Sequence, residues 1–190
     1  GDISLTADES ITTSGGDVIL WANSDNQAAN GSISLRKASS ITTGSLSVTG
    51  GSVWLGGGAD GGTWNGLSVG QGYAVSGTSF TPSDGGGDAN AGVYFENATI
   101  QTNGGNILVK GDGGTNYASG ITTYGGNTIN SGNGTIEWDG KSSSSFETQG
   151  ISFGLHDIVI PANTSFNSTS TGVAVKLKGS SNAGNGIGVD

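Results

Sequence analysis

Two glycine-rich segments carry the acidic residues best suited to bind a metal ion. Asp60 lies within the run at 56–62, and Asp84 and Asp88 flank three consecutive glycines. Calcium prefers carboxylate oxygens, and calcium-binding nonapeptide repeats present them between tight glycine turns. The nonapeptide period is absent here and neither segment repeats in tandem, so the pattern also fits plain acidic loops. Asp60, Asp84 and Asp88 are the calcium ligands that the sequence offers, and no other cofactor is expected.

Polysaccharide cleavage is a second chemistry to consider. It requires two carboxylates at a defined separation, or carboxylates that hold calcium beside an Arg or Lys base. The only adjacent acidic pair is Asp8 and Glu9, at an expected corner, and the chain has a single Arg, Arg36, and a single His, His156. The segment around His156 is typical of a corner that enters a strand. We therefore predict no catalytic residue and no enzymatic activity.

Three aromatic residues, Trp64, Tyr73 and Phe80, fall in a segment of irregular pattern around 56–91. Aromatic rings combine an apolar face with a polar edge, which suits them to binding surfaces. If the three rings line a shared exposed groove, they are expected to contact a glycan. If they are buried, a structural role is favoured instead.

The elements that would position these residues are short and repeat along the chain. Glycine precedes many apolar-polar-apolar triplets, and the leading apolar residues recur at every seventh or eighth position, as in Ile3, Ile11 and Val18. Sets of three such positions begin at 3, 33, 93, 121 and 151. The step from one set to the next is about 30 residues, a length typical of solenoid repeats, except for one double step from 33 to 93. Glycine-rich pairs between the triplets allow the positive φ values of tight corners.

This spacing predicts an all-β fold, a right-handed parallel β-helix with three short strands in each coil of about 30 residues. Alternation of period 2 places Ile3 and Leu5 inside and Ser4 outside. If strands stack about 4.8 Å apart, six or so coils form a rod on the order of 30 Å long. A β-sandwich of short strands is the alternative, but equal spacing in sets of three favours the solenoid.

The whole chain, 1–190, is predicted to be one solenoid segment with an irregular insertion around 56–91. The double step from 33 to 93 could hold one irregular coil, because Leu67, Val69 and Val75 lie within it. The chain starts directly on a repeat and its last residues read as an uncapped strand. Since uncapped solenoid ends expose unpaired strand edges, it is expected to be a fragment of a longer rod.

The outward positions of the strands differ in character. On the first strand of each set they are polar, as expected for a solvated face, at Ser4, Ser34, Thr122 and Ser152. On the third strand they include the apolar residues Ile19, Trp54 and Leu108. An apolar ladder on the outside is expected to form a lateral contact between rods, or to be covered by the insertion.

Charge and composition exclude several classes of partner. The net charge is −9, with 6 Lys and Arg against 15 Asp and Glu. A phosphate-binding groove needs clustered cations, so no nucleic acid is expected. The chain has no Cys, which excludes disulfides and thiolate metal sites. No apolar run approaches the roughly 20 residues that a membrane helix needs, so no membrane span is expected.

Residues 92–109 contain an apolar strand, then Ala-Thr-Ile-Gln-Thr at 98–102, then Gly-Gly-Asn-Ile-Leu-Val at 104–109. This arrangement resembles the repeats of filamentous-haemagglutinin-like bacterial exoproteins, and residues 10–20 and 120–138 are similar. The resemblance implies a right-handed β-helix that is secreted across the outer membrane, often by a two-partner route. It also implies an extracellular or cell-surface location and a role in adhesion, matrix or filament formation.

Two classes of function follow from these observations. The first is a structural or adhesive rod without catalysis, whose partners are copies of itself or adjoining coils, end to end and side to side, and a surface glycan or protein. The alternative is a β-helix protein that binds or cleaves carbohydrate. A cleft with converging carboxylates would favour cleavage.

Overall fold

The structure is a computed structural model that describes residues 1–24, 31–45, 47–77, 79–80, 89–114, 118–143, 148–154, 164–182 and 186–189. Every regular element in these ranges is a β-strand. Three parallel sheets make up most of the fold. Sheet A contains β1 (Ile3–Leu5), β4 (Ile33–Leu35), β11 (Ala89–Glu96), β14 (Ser119–Tyr124), β17 (Ile151–Phe153) and β20 (Ile187–Val189).

Sheets B and C contain the second and third strands of each coil. Sheet B contains β2 (Ser10–Thr12), β5 (Ser40–Thr42), β12 (Thr99–Gln101), β15 (Asn127–Gly132) and β18 (Thr164–Ser168). Sheet C contains β3 (Val18–Ala22), β6 (Val53–Gly57), β13 (Ile107–Asp112), β16 (Ile136–Ser142) and β19 (Val175–Ser181). Four short strands lie between β6 and β11, namely β7 (Gly62–Trp64), β8 (Leu67–Val69), β9 (Ala74–Val75) and β10 (Ser79–Phe80).

The strands stack in the order that the repeat spacing predicts. The chain visits sheets A, B and C in turn, and each strand pairs in parallel with its copy in the next coil. In sheet A, for example, Ile33 pairs with Ile3 on one side and Val93 on the other. The prediction of an all-β parallel helix with three strands per coil is therefore confirmed, and the β-sandwich is not observed.

Inward side chains form continuous ladders along the stack. Ile11, Ile41, Ile100 and Ile129 occupy one position in successive strands of sheet B, and the last three are fully buried. One coil cannot shield such side chains, but its neighbours cover them from both sides. The hydrophobic core is thus a column that runs through the coils.

Buried hydroxyl groups shape the corner between sheets B and C. The Oγ1 atoms of Thr43 and Thr102 and the Oγ of Ser131 each donate a hydrogen bond to the carbonyl oxygen of a glycine that leads into sheet C. The three residues are fully buried. Since a buried polar group without a partner is costly, this bond explains how the sequence tolerates a hydroxyl inside each corner.

The described residues of the double step from 33 to 93 form no additional coil, which corrects the suggestion from the sequence. Val93 of β11 pairs directly with Ile33 of β4. In sheet C, Val109 pairs with Leu55 and Gly111 pairs with Ala74. Lys110 lies between these two pairs, and Gly56 alone fills the position opposite it. Residues 57–73, which we call the lobe, are therefore inserted into a single strand, and the described part of the chain forms five coils plus β20.

The outward face of sheet A departs from the expected solvated face. Ser4 is exposed, but Ser34, Thr122 and Ser152 are only 0%, 3% and 3% exposed. The Oγ of Ser34 donates to the Oγ of Ser4 at 2.8 Å, and the Oγ of Ser152 donates to the carbonyl oxygen of Gly154. Alternation determines the side of the sheet on which a residue lies, but it carries no information on what covers that side.

Candidate functional site

The lobe covers the apolar part of the outward face of sheet C. Its strands β7 and β8 form an antiparallel hairpin, and Val69 packs with Trp54 and Leu108 in a small cluster. Trp54 is 1% exposed and Leu108 is 8% exposed. The contact predicted between rods at these two residues is therefore replaced by an intramolecular one, because the insertion buries them. Ile19 remains 37% exposed at the surface.

Small residues and a few hydrogen bonds hold the lobe against the sheet. Gly57 and Gly72 pair across its neck, with a hydrogen bond of 2.8 Å from the amide of Gly72 to the carbonyl oxygen of Gly57. Trp21 donates its indole N–H to the carbonyl oxygen of Gly58 at 2.7 Å. A Cβ on Gly56 would lie 2.6 Å from the ring of Trp54, so glycine at this position lets the ring lie across the strand.

A pocket of about 290 Å³ lies between the lobe and sheet C. Its apolar lining comes from the cluster beneath the lobe, and its polar lining comes from an amide, a hydroxyl and an ammonium group. The lining residues are Trp54, Gly62, Thr63, Trp64, Val69, Gly70, Gln71, Leu108 and Lys110. Thr63 and Gln71 are exposed, whereas Trp64 and Lys110 are partly buried. This combination of apolar surface with a few polar groups is typical of small-molecule sites.

Next to the pocket, Tyr73 lies between two lysines. The Nζ atoms of Lys110 and Lys141 are 4.6 Å and 4.4 Å from the centre of its ring. Its hydroxyl donates to Oδ2 of Asp139 at 3.0 Å. Partial burial, the hydrogen bond to Asp139 and the nearby carboxylates of Asp139 and Asp112 raise the pKa of Tyr73 to about 12. Partial burial also lowers the pKa of Lys110 from its ordinary value.

The rest of this face carries paired charges. Lys141 pairs with Asp112 at 2.9 Å, Lys176 with Glu137 at 2.6 Å and Lys178 with Asp139 at 3.1 Å. Together with Lys110, these lysines are four of the six basic residues of the chain. Each ion pair links a strand to the next coil, and exposed pairs of this kind contribute little to stability. The face therefore combines four lysines with the carboxylates of Asp112, Glu137 and Asp139.

The predicted site residues that the structure describes lie at different places. Trp64 lines the pocket, whereas Tyr73 is not part of its lining and contacts the charged cluster. Asp60 lies on an exposed bend that follows β6. Asp84, Asp88 and His156 and the side chain of Phe80 lie outside the described residues. Within the described ranges no three His, Asp or Glu side chains are grouped to hold a metal ion.

Three short segments match motifs of enzymes by residue type. Residues 66–70 and 150–154 fit the Gly-x-Ser-x-Gly pattern of hydrolases, and residues 56–61 fit the Gly-x-Gly-x-x-Gly pattern of dinucleotide sites. Both patterns function at a turn from a strand into a helix. Here Ser68 and Ser152 lie within strands, and no helix occurs in the described part of the chain.

The sequence-based prediction missed Gln71 and Lys110 as pocket residues. Lys110 lies in β13 and Gln71 lies in the lobe, 39 residues earlier, so only the docking of the lobe brings them together. No motif or local spacing indicates this contact. The one feature of the sequence that indicates a cover over sheet C is the run of outward apolar residues on its strands.

No family model matches the chain, and neither a curated protein nor a solved structure matches it. Among the described residues, no helix is long and apolar enough to cross a membrane.

Removal of the lobe tests whether it is a separate cover on an intact coil stack. Deletion of residues 57–73 joins Gly56 to Ala74, which preserves the register with β13. We expect the variant to keep its β-sheet circular dichroism, because the ladders of the core are untouched. Its Trp fluorescence should shift to longer wavelength as Trp54 and Trp21 become exposed, and it should self-associate through the new apolar patch.

The control for this experiment replaces Trp54 and Leu108 by Ser in the shortened chain. These changes should suppress self-association without loss of β-sheet content, since both side chains point away from the core column. A shortened chain that unfolds would show instead that the lobe is required for the fold of the coils.

The raised pKa of Tyr73 predicts a dependence of stability on pH. Between the ordinary Tyr value of 10.0 and about 12, the unfolded chain loses this proton while the folded chain keeps it. The stabilisation is thus complete below this range, and the free energy of unfolding should fall as the pH rises through it. In Tyr73→Phe the fall should be smaller, as measured by urea denaturation at several alkaline pH values. Equal slopes for the two proteins would contradict the assignment.

Proposed function

We propose that this chain is a rod segment of a secreted bacterial surface or filament-forming protein, and that it acts structurally or in adhesion without catalysing a reaction. The observation that carries this proposal is the register of the coils. Three parallel sheets continue through the stack with the same residue positions paired in each coil. Such a structure gains length with every coil at constant cross-section, which is what a spacer requires.

The arrangement of polar groups also supports a structural role. Geometry that repeats from coil to coil places side-chain oxygen atoms where they accept hydrogen bonds from the next coil, as the carboxylate of Asp2 does from Ser32 and the carboxamide of Asn106 does from Thr135. The described carboxylates of sheet C are occupied in pairs with lysines, such as Glu137 with Lys176. This pairing disfavours acid–base catalysis on that face, because such catalysis needs carboxylates that converge on a substrate.

The experiment that tests the rod changes the number of coils. Residues 121–150 form one repeat that begins at Ile121 and ends before Ile151, and both positions follow a glycine. Insertion of three further copies should lengthen the molecule by about 14 Å, at roughly 4.8 Å for each coil. Small-angle X-ray scattering should show a longer maximum dimension with an unchanged cross-section. An increase in both the maximum dimension and the cross-section, or loss of folding, would overturn the rod proposal.

The absence of catalysis is tested separately. The chain is incubated with a panel of neutral and acidic polysaccharides, and new reducing ends and unsaturated products are measured over time. We expect no release above a heat-denatured control. Turnover by the purified chain would overturn this part of the proposal and favour a carbohydrate-cleaving β-helix.

A further inference from the structure

The pocket under the lobe is lined by both apolar and polar residues. Among them, Trp64 packs against the cluster that contains Trp54 and Leu108. The lining also includes Gln71, which is exposed, and Lys110, which is partly buried. Its volume of about 290 Å³ is close to the lower end of the range for small-molecule pockets, roughly 300 to 1,000 Å³. It is therefore large enough for one sugar residue of a longer chain.

Lys110 differs from the other lysines on the same face. Lys141, Lys176 and Lys178 each form an ion pair, whereas Lys110 has no carboxylate within ion-pair distance among the described residues. Its Nζ lies over the ring of Tyr73 and 3.5 Å from the carbonyl oxygen of Gln71, which is a long hydrogen bond. The carboxylate of Asp139, opposite Lys110 in the next coil, attracts this ammonium group without forming an ion pair with it. A partly desolvated ammonium group without a direct carboxylate contact is suited to an incoming anion.

We propose that this pocket binds a carboxylated sugar residue of a surface polysaccharide, with the sugar ring packed on Trp64 and its carboxylate paired with Lys110. The exposed side chains of Gln71 and Thr63 supply hydrogen bonds to the sugar hydroxyls. A pyranose ring has an apolar face that can pack on an aromatic ring. A carboxylate supplies the negative charge that can pair with the ammonium group of Lys110.

Charge also explains why recognition would be confined to the pocket. The chain carries a net charge of −9, so most of its surface repels acidic polysaccharides. Four of the six basic residues lie on the face that contains the pocket, and three of these are neutralised by their own carboxylate partners. Lys110 is thus the one lysine of this face without an ion pair among the described residues.

The test uses a matched pair of ligands that differ only in the charged group. An oligosaccharide that contains glucuronic acid is compared with the same oligosaccharide after reduction of its carboxyl groups to alcohols. Binding is followed by NMR through the amide signals of Gly62, Gly70 and Gln71 and the indole signal of Trp64. We expect the acidic ligand to shift these signals and to bind at least about tenfold more tightly than the reduced ligand, the discrimination of one charge-assisted hydrogen bond.

Two lysine variants locate the interaction. Lys110→Gln should lose about tenfold or more in affinity for the acidic ligand and change little for the reduced one. Lys176→Gln is the matched control, because it removes the same charge from the same face, lies outside the pocket and pairs with Glu137 rather than with Asp139, the residue opposite Lys110. It should bind like the wild-type chain.

Several outcomes would overturn the pocket. They are an absence of binding by the wild-type chain, equal affinity for the two ligands, or equal losses in Lys110→Gln and Lys176→Gln, which would indicate general electrostatic attraction. Binding of the acidic ligand by a chain that lacks the lobe would also overturn the proposed site. The rod proposal is judged on length and cross-section alone, so it can stand or fall independently of these results.

Discussion

Replacement of Gly140 by Ala is expected to lower the free energy of unfolding by about 3 kcal/mol or more. Gly140 lies near the end of β16 in sheet C, and its backbone packs against that of Gly150, which directly precedes β17 of sheet A. A Cβ on Gly140 would collide with the carbonyl oxygen of Gly150. The same contact recurs between Gly111 and Gly120 one coil earlier, so the backbone cannot move away without disturbing its neighbours.

Gly126→Ala is the control for this substitution. A Cβ at Gly126 would meet nothing within 4 Å, and its backbone does not require a positive φ. Both variants remove one glycine from the unfolded chain, and this effect alone stabilises a protein slightly. Urea denaturation should therefore show a large loss for Gly140→Ala and a small change for Gly126→Ala. Similar stabilities for the two variants would mean that the corner is not packed as described.

The ladders of the core could be predicted from the sequence because they depend on local patterns. Ile33, Val93 and Ile121 recur at the start of their sets, and parallel stacking pairs each with the next. The burial of one such residue requires only that the coil has neighbours. The lateral position of a residue in a solenoid is thus set by its place in the repeat, which the sequence shows directly.

The site could not be predicted in the same way, because it depends on where the lobe folds. Residues 57–73 leave sheet C and return to it, and the sequence is compatible with an additional coil, a free loop or a cover. Only the apolar pair Trp54 and Leu108 indicated a cover, and the same pair would also suit a contact between rods. The packing of Val69 against Trp54 and Leu108 makes the lobe a cover. No local sequence pattern predicts this contact.

Glycine-rich composition likewise has two different causes in this chain. Gly15 and Gly104 have φ values of 94° and 124°, which other residues rarely adopt, so they are needed for corners. Gly140 and Gly150 have no such φ and are needed because two backbones approach closely. The sequence does not distinguish the two kinds, and only the structure separates conformation from close contact.

Replacement of Trp138 by Ala is expected to lower the free energy of unfolding by about 3 to 5 kcal/mol, the usual range for a buried aromatic residue. Trp138 is fully buried, stacks on Phe95 with ring centres 5.1 Å apart and meets Phe166 edge-on at 4.8 Å. Its removal leaves a cavity between coils that cannot collapse, because the strands on both sides are held in register by their own hydrogen bonds.

Trp138→Phe separates the packing of this ring from its polar group. The indole N–H of Trp138 is buried and finds no acceptor among the described residues, so its removal relieves an unfavourable desolvation. Phe keeps an aromatic ring between Phe95 and Phe166 but leaves a smaller cavity than Ala. We therefore expect Trp138→Phe to lose less than half as much stability as Trp138→Ala in urea denaturation. Equal losses in the two variants would show that the N–H has a partner or that the stack tolerates no smaller ring. A negligible loss in Trp138→Ala would show that the packing of this ring does not stabilise the coils.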